Sequence, residues 1–152
     1  MTRLDIMIGL IVLLAMYFLH VIEDFHVQGL LGQLKQKKTW VEYCKNEPES
    51  FQRYRNDYKV CLLLHAFEWS CFIMAPMFVL MLGYYKAWTF SIIIPLFMTL
   101  GLNIRLHYDI DDMKCNRMEI SLVTDQIIHA IQIFVTWGLY MVMVAIWKTW
   151  FV

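Results

Sequence analysis

Four stretches of this chain are too long and too apolar to be left in water. They run from about Leu4 to Ile22, Val60 to Tyr85, Ala87 to Ile104 and Leu122 to Trp150. At a rise of about 1.5 Å per residue, each is long enough to cross a hydrocarbon layer of about 30 Å. Backbone polar groups have no water to bond in that layer, so a segment of this kind is stable there only as a helix or in a closed barrel. Their length favours helices. The pattern predicts an all-α polytopic membrane protein, one domain over residues 1–152, built as a four-transmembrane-helix bundle. With 60% hydrophobic and 17% charged residues, the chain is far from the balance of a water-soluble domain. A formal net charge of zero, with no basic stripe, gives no reason to expect a nucleic-acid partner. Pro76 and Pro95 lie inside the second and third stretches and should kink them unless neighbours satisfy the freed carbonyls. Met-Thr-Arg before the first stretch is not followed by a small-x-small cleavage site, so that stretch is read as a retained helix. Cys44, Cys61, Cys71 and Cys115 show neither Cys-x-x-Cys spacing nor a disulfide framework and are read as reduced fillers.

Lysine and arginine positions predict the orientation. Lys35, Lys37, Lys38, Lys45, Arg53, Arg55 and Lys59 fall between the first two stretches, and Arg105, Lys114 and Arg117 between the last two. Only Arg3, Lys86 and Lys148 fall on the other side. Both long loops are therefore expected in the cytoplasm and both termini outside. In the first loop, Leu30, Leu31 and Leu34 recur at helical spacing beside Lys35, Lys37 and Lys38, which predicts a short interfacial helical segment lying on anionic headgroups. Phe51, Tyr54 and Tyr58 repeat the pattern beyond Pro48, at a depth where aromatic rings favour the interface. The hairpin around Gly83 to Lys86 is too tight to hold a site.

Against this background, three histidine–aspartate pairs stand out: His20 with Asp24, His107 with Asp111, and Asp125 with His129, each four residues apart. On a helix that spacing puts both side chains on one face. About one sequence in a hundred of this composition would show three such pairs by chance. The expected topology brings all three pairs, and His65 at the start of the second stretch, to the cytoplasmic ends of the four helices. In an antiparallel bundle, inward-facing residues at one level make a single cluster, the geometry of carboxylate–histidine metal sites. Imidazole and carboxylate suit zinc or manganese. Seven candidate ligands, His20, Asp24, His65, His107, Asp111, Asp125 and His129, exceed the needs of one tetrahedral ion. Either two divalent ions bind, or one binds and some of these residues orient the others by fixing a histidine's tautomer. His26 lies off the His20/Asp24 face, Gln28 lies on it, Glu68 is one turn beyond His65, and Gln132 reads as interhelical hydrogen-bonding glue.

The order His20-x-x-x-Asp24-Phe25-x-x-Gln28, a Lys35–Trp40 segment, His65, His107-x-x-x-Asp111-x-x-Lys114 and Asp125-Gln126-x-x-His129 resembles a family of small phage and bacterial membrane proteins, domain of unknown function 3307. That family is itself similar to membrane-bound metal-dependent hydrolases. The resemblance covers the chain from His20 to His129. It implies a bacterial inner (cytoplasmic) membrane location and a site at these same positions.

Together these readings lead to a metal-dependent hydrolase at the cytoplasmic interface, acting on a lipid headgroup or phosphorylated amphiphile. Asp125, Asp24 and Lys114 are its candidate catalytic residues: the carboxylates as ligand or general base, the lysine to neutralise substrate charge. Membrane lipids are the expected partners, with a second copy of the chain or a host membrane protein as further candidates. The alternative is a non-enzymatic accessory or host-defence-antagonist protein in which the cluster is a structural metal or polar clasp. A closed set of four protein ligands would favour the clasp, an open position the enzyme. An ion or proton conduit is disfavoured, because the outer halves of the four stretches hold almost no titratable groups. No Gly-rich phosphate loop and no Gly-x-Ser-x-Gly elbow is present.

Overall fold

The computed structural model describes residues 1–151, without the side chains of Pro48 and Phe51. Its helices are α1 (Arg3–Ile22), α2 (Gly29–Leu34), α3 (Lys37–Tyr43), α4 (Pro48–Tyr54), α5 (Asp57–Phe78), α6 (Phe90–Cys115) and α7 (Leu122–Trp150). No strand occurs among the described residues. The protein is all-α, with four helices long and apolar enough to cross a membrane. The four long helices follow one another round a ring, α1 against α5, α5 against α6, α6 against α7, and α7 back against α1.

Local chemistry starts the helices where it should. Thr2 caps α1 with a reciprocal pair: its hydroxyl accepts from the Asp5 backbone N–H at 3.3 Å, and Asp5 accepts from the Thr2 N–H at 2.6 Å. Ser121 accepts from the Thr124 N–H at 3.1 Å to cap α7. The core is filled by Val12 and Met16 of α1, Trp69, Ile73 and Met77 of α5, Ile92 and Leu96 of α6, and Ile133, Tyr140 and Val144 of α7. Gly9 lets α7 approach α1 closely. Trp137 donates to its carbonyl at 2.6 Å, and a Cβ there would run into the Met141 sulfur. Outside the ring, Leu14, Phe18, Phe67, Phe97, Met98, Phe134 and Val142 are exposed, as befits faces turned to lipid tails. At the tight-hairpin end, the Lys148 ammonium lies 2.6 Å from Asp5, and the Tyr85 hydroxyl donates to the same carboxylate at 3.3 Å.

The helices outrun the apolar stretches at the other end. α6 continues from Ile104 to Cys115, so His107 and Asp111 lie within it and not beyond its end. α1 continues through a π-helical turn, Glu23–Val27, in which the Gln28 N–H reaches back to the Glu23 carbonyl at 3.0 Å. Hydropathy marks where apolar residues stop; the helix persists because the polar residues that follow face the interior. α5 runs through Pro76 and widens into a second π-helical turn, Val79–Tyr84, and α6 runs through Pro95.

One expectation is corrected in the first loop. Its basic residues do not all lie on the outer surface: Lys35, between α2 and α3, is turned inward and buried. Gly29, at φ +42°, makes the turn that leads α2 back over the bundle. Leu30 faces outward, Tyr58 is half-buried, and the expectation for Phe51 lies outside the described side chains.

Candidate metal centre

The long-loop end of the bundle carries one connected polar cluster, fed by all four long helices. Asp111 of α6 lies at its centre. Its Oδ2 atom is 3.2 Å from His65 Nε2, 3.7 Å from His107 Nε2 and 2.5 Å from the Lys35 ammonium. Its Oδ1 atom is 3.6 Å from His129 Nε2. His65 and His107 bring their Nε2 atoms within 3.2 Å of each other. On α7, His129 Nε2 is 3.3 Å from Asp125 Oδ1, while Asp125 Oδ2 accepts from Lys114 at 2.7 Å and from Gln126 at 3.1 Å.

The helices fix these positions by register. Asn103, one turn before His107, accepts at 2.8 Å from Gln132, three residues after His129, and at 3.0 Å from Thr136. These bonds lock α6 to α7 so that the His107 and His129 rings stack at 4.4 Å between centroids. Trp69, four residues after His65, stacks on His107 at 4.1 Å and donates its indole N–H to His20 Nδ1 at 3.0 Å. In the π-helical turn, bonding from i to i+5 narrows the angle between successive side chains. Both consecutive acids thereby serve the cluster. Glu23 lies 3.1 Å from His65 Nδ1, and Asp24 accepts from Gln126 at 3.0 Å and lies 3.6 Å from His20 Nδ1.

Three observations fit a divalent cation. The first is geometric. His65 Nε2, His107 Nε2 and Asp111 Oδ2 form a triangle with sides of 3.2, 3.2 and 3.7 Å. A tetrahedral zinc with bonds of about 2.0–2.1 Å holds its ligand atoms about 3.3–3.4 Å apart. The triangle has close to the dimensions of one face of such a site. The second concerns satisfaction. Asp125 Oδ1 and His129 Nε2 are buried without a well-directed hydrogen bond, though they lie 3.3 Å from each other. Buried polar atoms left in this way are costly, and a shared cation is the simplest group that satisfies several at once. The third is charge. The carboxylates of Glu23, Asp24, Asp111 and Asp125 meet only the two ammonium groups of Lys35 and Lys114, leaving two negative charges if the imidazoles are neutral. Glu23 beside His65 Nδ1 also matches a recurrent arrangement in which a carboxylate holds the far nitrogen of a metal-binding histidine.

The seven residues singled out from the sequence occupy one cluster, in different roles. His65, His107 and Asp111 make the donor triangle, and His129 and Asp125 adjoin it through Asp111 Oδ1. Asp24 lies within reach of His65 and His107. His20 Nδ1 is taken by Trp69. Lys114 is paired with Asp125 through its ammonium and also lines a cleft on the long-loop side. His26 is exposed, Gln28 donates to the Asp24 backbone carbonyl, and half-buried Glu68 stands beside Glu23 and His65. Sequence reasoning missed Glu23, Lys35 and Trp69. Glu23 and Trp69 carried a signal, at three residues from His20 and four from His65; Lys35 opened the Lys35–Trp40 segment of the resemblance, but no spacing tied it to its partner 76 residues away.

A cleft of about 330 Å³ lies on the long-loop side between residues 28–36 and 114–115. The two lysines that hold Asp111 and Asp125 line it, and none of the candidate donors does. No family model, curated protein or solved structure matches the chain. The functional reading therefore rests on the chemistry of the site.

Proposed function

We propose that this protein is a membrane metal-dependent hydrolase that acts on a phosphorylated or acylated amphiphile at the long-loop face of the membrane. The observation that carries the reading is the donor triangle of His65, His107 and Asp111, set in a cluster rich in buried carboxylates. Zinc or manganese suits these donors. A divalent ion held there would polarise the scissile group and activate water for attack. Asp125 serves as a metal ligand or as the general base: its Oδ1 atom is buried, without a hydrogen-bond partner and close to His129, while Lys114 and Gln126 hold Oδ2 and fix the carboxylate's orientation. The cleft over Lys35 and Lys114 would receive an anionic headgroup. An apolar groove of about 210 Å³ between α6 and α7 ends at Ile110 and Ile128, the neighbours of Asp111 and His129, and would seat an acyl chain. The positive-inside charge bias supports a cytoplasmic position for this face.

The rival reading, a structural metal clasp, is favoured by the complete burial of His65, His107, Asp125 and His129. The cleft beside Lys35 and Lys114 supports the enzyme, since a clasp needs no cationic recess next to it. The test has two stages. Purified protein should contain, or take up, zinc or manganese measured by elemental analysis. The loaded protein should consume a component of a membrane lipid extract, followed by mass spectrometry, and Asp125→Asn should abolish that consumption while insertion and folding persist. Metal uptake without turnover on lipids or other phosphorylated amphiphiles would leave the clasp as the account.

A further inference from the structure

We infer that the cluster is built for two divalent ions bridged by Asp111, an assignment that rests on the metal-binding reading above. The two oxygens of this carboxylate look to different partners. Oδ2 is the one nearest His65 and His107, at 3.2 and 3.7 Å, whereas Oδ1 is the one nearest His129, at 3.6 Å. His129 Nε2 in turn lies 3.3 Å from Asp125 Oδ1. Of these distances around His129 Nε2, the 3.3 Å one matches, and the 3.6 Å one slightly exceeds, the spacing of about 3.3–3.4 Å between ligands of one tetrahedral ion. His129 Nε2 and Asp125 Oδ1 are fully buried, and neither has a hydrogen-bond partner. A second donor set, Asp111 Oδ1, His129 and Asp125, thus adjoins the first, and Asp111 is common to both. A carboxylate shared in this way holds two ions about 3.5–4 Å apart, the separation of paired-metal hydrolytic sites.

The charges agree with this arrangement. Two divalent ions carry four positive charges, set against the carboxylates of Glu23, Asp24, Asp111 and Asp125 and of Glu68 beside them. With Lys35 and Lys114 added, one positive charge becomes surplus in the cluster. Both lysines line the cleft beside it, so an ammonium group has somewhere to turn. Loading two ions would therefore free lysine charge for an anion entering the cleft.

The experiment is manganese loading of the full chain in detergent, with stoichiometry read by elemental analysis and the ions' coupling by electron paramagnetic resonance. The expected result is two ions per chain with an exchange-coupled spectrum. His129→Ala and Asp125→Asn should each reduce this to one ion with the six-line signal of isolated manganese. Saturation of the unaltered chain at one ion with that isolated signal would overturn the second site and leave the metal reading intact. Two ions without coupling would overturn the bridge. No uptake would overturn both readings. Because the coupling is measured on the unaltered protein, a variant that fails to fold does not remove the test.

Discussion

Replacing Lys35 by methionine separates a metal site from a plain salt-bridge cluster. The ammonium lies 2.5 Å from Asp111 Oδ2, with the two side chains only 7% and 3% exposed. Without a metal, the substitution leaves a buried carboxylate facing imidazoles, and breaking a buried pair from one side costs about 3–5 kcal/mol. With a metal, the sign of the lysine's contribution to binding reverses. An ion bonded to the same oxygen would lie roughly 4 Å from the ammonium, where even two unit charges repel by about 4 kcal/mol at an effective dielectric constant of 20. Lysine relieves much of this by turning into the cleft, so a gain of at least about 1.4 kcal/mol, or tenfold in affinity, is expected on its removal. The assays are zinc titration calorimetry in detergent and equilibrium unfolding in mixed micelles, each with and without chelator. Lys35→Met should be less stable in chelator, should bind zinc more tightly, and should recover part of its lost stability at saturating metal, because binding to the native state is linked to stability. Unchanged or weaker zinc affinity, with the same stability loss under both conditions, would refute a cation site at Asp111.

Three further outcomes are expected. Lys148→Met should cost about 1–3 kcal/mol in the same unfolding assay, since it strips a partner from buried Asp5, yet leave metal stoichiometry unchanged because it acts at the opposite end of the bundle. His65→Ala should lower metal content and raise sensitivity to chelator, whereas His26→Ala, at an exposed position, should change neither. For orientation, Cys44 is a poor reporter because it is buried, so cysteine should be introduced at exposed Lys45 and Lys86. A membrane-impermeant maleimide added to intact cells should label Lys86→Cys and spare Lys45→Cys; the reverse would invert the topology.

The two levels of description divide along physical lines. Hydropathy alone fixes four helices, because in hydrocarbon the backbone has almost no other way to satisfy its polar groups. Helical periodicity alone pairs His107 with Asp111 and Asp125 with His129, because a spacing of four residues is one turn whatever surrounds it. Both are properties of a chain segment and its immediate neighbours, so both are legible in the order of residues. Lys35 shows where that legibility stops. In the sequence it is one lysine in a basic loop; in the fold it is buried against a carboxylate 76 residues away. The same limit applies to Glu23, which the π-helical turn brings within 3.1 Å of His65, and to Trp69, which stacks on His107 from another helix. It applies as well to Asp111, whose two oxygens face different histidines. Local pattern determined which residues were available on which face. Which oxygen meets which nitrogen depends on how four helices are rotated and shifted against one another, and that is set by packing at Gly9 and by the Asn103–Gln132 bonds, between residues far apart in the chain.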